Sequence, residues 1–490
     1  MPARTILPIL VLTVLATLSC GKGISDPVPF GLQPAIFPDY RDVTVPSTIA
    51  PLDFSSLDRA ERLDVTLTGD DGTTLHVNGP YAQFPPKAWK RMLASNTGAS
   101  VRVDTYALIN GKWVSYAPFH IHVSEDAIDP GLVYRLILPS YEGMGKVGIY
   151  ERELSSYRQR ELVSTEEVNG CINCHAFNRC DPSDMSLHVR GSHGATLIRQ
   201  DARMRALSTK TDSTISSCVY PYWHPSGNYI AYSTNTTRQG FYQRAENILE
   251  VFDYASDIVV CDLRTGELFS SPLLKGDSAW ETFPAFSPDG RTLYFCRAQP
   301  RTIPAQLGEI RYDLCSIAFD PENGTFGDTV DTLVAAAATG RSVSFPRPSF
   351  DGRFLMYTVS AFGNFTIWHN DADLWLLDLE TKEERPLARA NTANAAESYH
   401  NWSSNSRWFV FGSRRDDFTH TRAYICHIDT NGVPGKPFLL PQKDPRRYYD
   451  SMLMSYNIPE FVTEPVAFDS HKAWRLLKRE KKEQVTYKMH

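Results

Sequence analysis

The chain has 490 residues, with 50 lysines and arginines against 56 acidic residues, for a formal net charge of −6. So mild an acidic balance argues against nucleic acid as a partner. Aromatic residues at 12%, with 32 prolines and 29 glycines, describe a turn-rich, all-β protein long enough for two or three domains.

Residues 1–20 read as a signal peptide. Arg4 precedes an apolar run from Ile6 to Leu18, followed by Ser19-Cys20-Gly21. That run is too short to cross a bilayer as a helix, and it matches a secretory h-region. Cys20 looks like the lipidation site of a bacterial lipoprotein, although Leu18 stands one place nearer to it than that motif prefers. An ordinary cleaved signal is the alternative. No later stretch is apolar enough to span a membrane, so attachment would be through lipid on Cys20. The expected location is the cell envelope, on the periplasmic side or the surface of the outer membrane.

Residues 21–46 hold five prolines and read as an extended tether. From 47 to 150 the pattern alternates. Leu63 to Thr68, a turn at Asp70-Asp71-Gly72, and Thr74 to Val77 predict a hairpin. Ser100 to Leu108 and Trp113 to Val123 repeat the alternation, and residues 86–95 predict one short helix. Together they describe a β-sandwich-like domain. His120 and His122 share a strand face, where packing accounts for them.

Residues 151–184 read as a connector carrying Cys171-Ile172-Asn173-Cys174-His175. This is C-x-x-C-H, the spacing that attaches a c-type haem. Cys171 and Cys174 would add to the porphyrin vinyl groups, and His175 would lie under the iron as proximal ligand. Met185, His188 and His193 are the candidates for the distal position. Zinc is the alternative, with Cys180 and His188 or His193 completing four ligands, though no second C-x-x-C is present. Of the remaining cysteines, Cys261, Cys315 and Cys426 sit in apolar strands, where free buried thiols are expected.

Residues 185–468 contain a repeat. Tyr222–Gly227, Ala285–Gly290, Pro348–Gly352 and Asn401–Ser406 share one turn shape, and each precedes an apolar strand. A tight turn feeding the strands of four-stranded blades predicts a β-propeller of five to seven blades. Residues 469–490 form a basic tail in which Trp474, Leu476 and Leu477 mark a short amphipathic helix.

The S-P-D-G turns resemble the repeats of TolB-like propellers. The wider order resembles a group of exported, Bacteroidota-type lipoproteins that join a β-sandwich, a C-x-x-C-H segment and such a propeller. The matching stretches include Phe119–Ser124, Asp129–Arg135, Gly148–Arg152, Cys171–Phe177, His188–Gly191, Val219–Gly227, Ser413–Asp417 and Ser455–Phe461. The resemblance implies a fold and a haem-type motif, and no reaction.

Two functions follow as expectations. One is an exported monohaem cytochrome-like protein for electron transfer or redox sensing, with the propeller docking an envelope or redox partner. The other is a propeller that binds a protein or glycan, in which the haem or zinc is structural. An enzyme at the channel, using residues such as His224, His400 and Arg414, is the weakest reading, because no nucleophile–base pair announces itself. The polar run Ser413 to Asp417 fits either an anion site or an ion-pair network.

Overall fold

The computed structural model describes residues 24–139, 145–241, 247 and 249–489. Cys20 and the signal peptide lie outside them. The chain folds as a six-bladed β-propeller carrying an N-terminal sheet on one side. Each blade is a four-stranded antiparallel sheet, and the innermost strands touch one another in a closed ring.

Blade 1 is assembled from both ends of the chain. Gly131–Ile137, Gly148–Glu153 and Gln159–Ser164 come from the N-terminal side, and the innermost strand, Ser455–Val462, comes from the C-terminal side. Such closure removes the two sheet edges an open ring would expose. Blade 2 runs from its inner strand Cys171–Asn178 through Asp181–Arg190 and Ala195–Gln200 to Arg203–Ser208. The inner strands of blades 3 to 6 are Val219–Trp223, Trp280–Phe286, Ser342–Pro348 and Glu397–Trp402.

Four expected boundaries are corrected. Residues 21–46 are no free tether, because Val43–Pro46 pairs with Phe119–Ser124 in the N-terminal sheet and Tyr40, Val43 and Val45 are buried. The stretch 131–150 belongs to blade 1, not to the N-terminal domain. The stretch 151–184 is no connector, because it supplies strands of blades 1 and 2. The propeller therefore begins at Gly131 instead of 185. Alternation reports a strand and not its partner, and the partner of Gly131–Ile137 lies more than 300 residues away.

The repeated turns explain their own sequence. In blades 4, 5 and 6 the serine hydroxyl donates to the side chain two residues on, from Ser287 to Asp289, Ser349 to Asp351 and Ser403 to Asn405. The same oxygen accepts the N–H of the first strand residue, from Thr292, Phe354 and Trp408. Gly290 and Gly352 sit at φ +73° and +79°, where glycine is unstrained.

The N-terminal region is one seven-stranded sheet in place of the expected two-layer sandwich. Leu63, Val65 and Leu67 are buried along Arg62–Gly69, which pairs with Thr74–Gly79 as the hairpin pattern predicts. The second layer comes from elsewhere. Helix Pro86–Ser95 buries Trp89, Met92 and Leu93, and the core continues into Trp408, Phe409 and Phe411 of blade 6. At the tail, helix Ser470–Leu477 buries Ala473, Leu476 and Leu477 against blade 2, so its apolar face is spent inside the fold. Beyond it, Glu483–Gln484 and Thr486–Met489 add parallel strands to the outer edges of blades 2 and 3.

Blade 3 carries one departure from regularity. Tyr229–Phe241 and Leu249–Asp262 form a hairpin about twice the length of its counterparts, with a bulge between Thr236 and Thr237. Its far half reaches blade 5. There Leu249 and Val251 pack with Trp368, Glu250 pairs with His369 Nε2 at 2.8 Å, and Asn364 donates to Asp253 at 2.9 Å. This hairpin roofs one end of the channel.

Candidate functional site: the channel and its mouth

Each of the six inner strands breaks register at an equivalent place (the blade 2 strand breaks again after Phe177), and at that break one residue takes a positive φ. These residues are Ile458, Cys174, Tyr220, Phe283, Phe345 and Tyr399, all between +47° and +53°. A non-glycine residue there costs on the order of 1 kcal/mol, so six equivalent cases show a conformation imposed by the ring. The bulge turns the six side chains into the channel. Tyr220, Phe283, Phe345 and Tyr399 pack in sequence in edge-on and tilted pairs, with ring centroids 4.3 to 4.9 Å apart. They close the channel at its waist and leave a separate space at each end.

The residue after each bulge is Pro221, Pro284, Pro346 or Pro459 in four blades, and His175 or His400 in the other two. Proline is tolerated because a bulge frees its residue from donating to the ladder. The Cys174-His175 dipeptide therefore occupies a repeat position of the propeller. It is equivalent to Tyr220-Pro221 and to Tyr399-His400.

Beyond the waist the channel narrows to cavities of about 30 and 40 Å³. Arg347 and Glu460 face this space together. Arg347 Nε donates to Asn401 at 3.2 Å, and Glu460 accepts the Phe177 N–H at 3.0 Å. Burial pushes the Glu460 carboxyl up to about 8, against the Phe177 N–H and the Arg347 charge. His175 and His400 also lie at this end. Burial pushes each down to about 3, helped by the charge of Arg135 at His175 and of Arg347 at His400. Neither nitrogen of either ring makes a hydrogen bond.

The opposite end opens into a cavity of about 550 Å³ beneath the blade 3 hairpin. Arg135, Arg190, Arg414, His188 and Cys171 line it, and no carboxylate does among the described residues. Arg135 is buried. Its guanidinium donates to the Ile172 carbonyl at 3.1 Å and to Asn457 at 2.6 Å, while Nε has no partner. Arg414 is 2% exposed and stacks on Trp368, with Nε and Nη1 unpartnered. Burial holds it well below the usual guanidinium range, opposed by Asp417. Arg190 is exposed and pairs across the strands with Cys171. His188 pairs across from Asn173 and meets Thr196 at 3.1 Å; burial and then Arg190 push it down to about 4. The nearest carboxylate behind the wall, Asp253, is taken up by Asn235, Thr237 and Asn364.

The residues singled out from the sequence are thus divided. Cys171 and His188 line the mouth, Cys174 sits at the waist, and His175 lies past it. Met185 is buried in the core of blade 2, and His193 rests on the Trp474 ring, 5.3 Å between centroids. Cys180 is buried beside the small cavities at the far end, away from His188. Among the described residues no three histidine, cysteine or acidic side chains converge as a metal site requires. All eight described cysteines are free, and of these only Cys171 is exposed. His224 is held in its own turn, bonding Ser226 and the Gly290 carbonyl. Arg414 alone of the three channel candidates reaches the mouth. Arg135 and Arg190 lie in stretches that carry the family resemblance, but nothing local assigned them a role, and the roofing hairpin carried no motif.

No protein-family profile matches the chain, and neither does any curated protein. Solved structures resemble it in fold. The β-propeller domain of the Trilobed protease from Pyrococcus furiosus aligns at 10% identity over 70% of this chain and 94% of that one, with TM-score 0.34. A DUF4784 family protein from Bacteroides caccae aligns at 10% identity over 86% and 98%, with TM-score 0.32. A structure from a study of two prolyl endopeptidases aligns at 14% identity over 63% of this chain, with TM-score 0.36. This chain spans 42% of that last protein's length.

Proposed function

We propose that this protein is a binding module whose ligand enters the mouth of the propeller channel. The observation that carries the reading is the 550 Å³ cavity itself, a concave site whose walls mix apolar side chains with convergent polar and positively charged ones. The waist closes it below and the hairpin of blade 3 covers it above. The S-P-D-G turns and the wider order support a TolB-like propeller of the cell envelope. Ser19-Cys20-Gly21 supports lipid attachment at Cys20, which a Cys20→Ser variant released from the membrane fraction would verify.

A second reading keeps the C-x-x-C-H motif as a c-type haem site, with electron transfer or redox sensing as the role. It is favoured because Cys171 and His188 open onto one cavity large enough for a porphyrin. Cys171 and Cys174 would be the covalent anchors, and His188 is the one distal candidate that reaches the cavity. His175 does not fit its usual part. Its ring lies on the far side of the waist, and its orphaned nitrogens are matched at His400, where no cysteine is near in sequence. Zinc at the same thiols is the remaining alternative for the motif.

One experiment separates the readings. Protein exported from a host that attaches c-type haem is denatured and weighed. Retention of one porphyrin mass, lost in Cys171→Ala with Cys174→Ala, supports the haem reading. A bare polypeptide mass rejects it and leaves the binding module. For the module itself, a molecule that binds the cavity must slow alkylation of Cys171; if no bound molecule does so, the site is elsewhere.

A further inference from the structure

Resting on the mouth cavity as the ligand site, we propose that its ligand is an anion with an apolar or aromatic body and two carboxylate groups. Arg135, Arg190 and Arg414 face one enclosed space, and among the described residues none of its walls carries an acidic side chain. Buried charges in folded proteins are paired or hydrogen-bonded. Elsewhere buried and half-buried arginines keep a carboxylate partner, as Arg415 does with Glu397 at 3.0 Å and Arg422 with Asp417 at 3.0 Å, even where, as in Arg422, Nε and Nη1 stay unbonded. Arg414 departs from that pattern, lying almost wholly buried with no ion-pair partner among the described residues and with Nε and Nη1 bonded to nothing. Arg135 keeps a free Nε beside anchored Nη groups, which fixes the direction in which it can still donate.

Geometry then selects the class. The guanidinium fork matches a carboxylate in bidentate fashion. Arg414 and Arg135 belong to different blades, 6 and 1, and Arg190 belongs to blade 2. Positive groups spread over three blades suit separate acidic groups better than one compact anion. The same lining carries Phe365, Ile367 and Trp368 packed with Leu249 and Val251 of the roof, one apolar patch for the ligand body. The same chemistry has two sources, a small free dicarboxylic acid or the two propionates of a porphyrin.

The test uses the full exported chain from a host that attaches no haem. Isophthalate, protoporphyrin IX, benzoate, inorganic phosphate and the uncharged dimethyl isophthalate are each titrated at low salt. Binding is read by calorimetry and by protection of Cys171 from alkylation. The expected result is that isophthalate or protoporphyrin IX binds and protects Cys171, at least tenfold more tightly than benzoate or phosphate. Arg414→Met and Arg190→Gln should each weaken that binding about tenfold. Isophthalate without protoporphyrin IX identifies a small acid, and the reverse identifies a porphyrin; either supports the assignment. Binding of neither dianion, preference for phosphate, or affinity unchanged in both variants overturns it. If the dimethyl ester binds and protects Cys171 while the dianions do not, the charge assignment fails and the cavity stands as the site.

Discussion

The two ends of the channel are built from the same six strands and differ in how their charges are matched. At the far end Arg347 faces Glu460, the space has shrunk to a few tens of Å³, and the polar groups belong to the fold. At the mouth three arginines face 550 Å³ with no acidic partner on the walls among the described residues. A sealed end with no room is structural, and unsatisfied positive charge with room marks a functional one. The C-x-x-C-H segment crosses between them, with Cys171 on the functional side and His175 on the structural side.

Acid provides the largest contrast. His175 and His400 are held near 3 in the folded chain, against about 6.5 when unfolded. The unfolded chain therefore binds protons that the folded one refuses, and stability falls as pH drops from about 6.5 toward 3. By pH 5 the loss is about 2 kcal/mol for each ring. A His175→Pro, His400→Pro double variant, copying the proline of the other four blades, should lose about 4 kcal/mol less between pH 7 and pH 5 by urea unfolding. Equal losses in both proteins would show that these rings are not held neutral by burial.

Removing an arginine should have opposite results at the two ends. Arg347→Met leaves Glu460 without its opposing charge and Asn401 without a donor, and should destabilise by about 2 kcal/mol. Arg414→Met removes a buried charge that has no ion-pair partner and keeps an apolar side chain against Trp368, and should leave the ligand-free protein unchanged or up to about 1 kcal/mol more stable. Binding weakens about tenfold in the second variant and is kept in the first. Such a trade of stability against function is the signature of a site residue. Urea midpoints of the two variants check the pair, and similar losses in both would erase the contrast.

Much of the propeller was legible because its turns are local chemistry. Ser287-Pro288-Asp289-Gly290 fixes its own hydrogen bonds, so the repeat predicts blades without knowledge of the rest. The inner strands were legible too, had the repeat been followed two residues upstream to Tyr220-Pro221, Phe283-Pro284, Phe345-Pro346, Tyr399-His400 and Ile458-Pro459. Cys174-His175 then falls into line as another copy, and residues 151–184 become blade strands instead of a connector. Blade 1 was hidden for a different reason, since its closing strand comes from Ser455–Val462 and no local pattern reports so distant a partner. The mouth was hidden because Arg135, Arg190 and Arg414 are far apart in sequence and only ring closure brings them together.

The claim that the mouth is an accessible, positively charged site meets its most direct test in the reactivity of Cys171. A Cys20→Ser chain without haem leaves Cys171 as the one exposed thiol among the described cysteines. Its rate with the dianionic aromatic disulfide dithiobis-nitrobenzoate is compared with its rate toward neutral dipyridyl disulfide, each relative to glutathione. The account predicts an advantage for the anionic reagent on the order of tenfold, reduced by salt and absent in Arg190→Gln with Arg414→Met. Equal relative rates for the two reagents, or faster reaction with the neutral one, would contradict it.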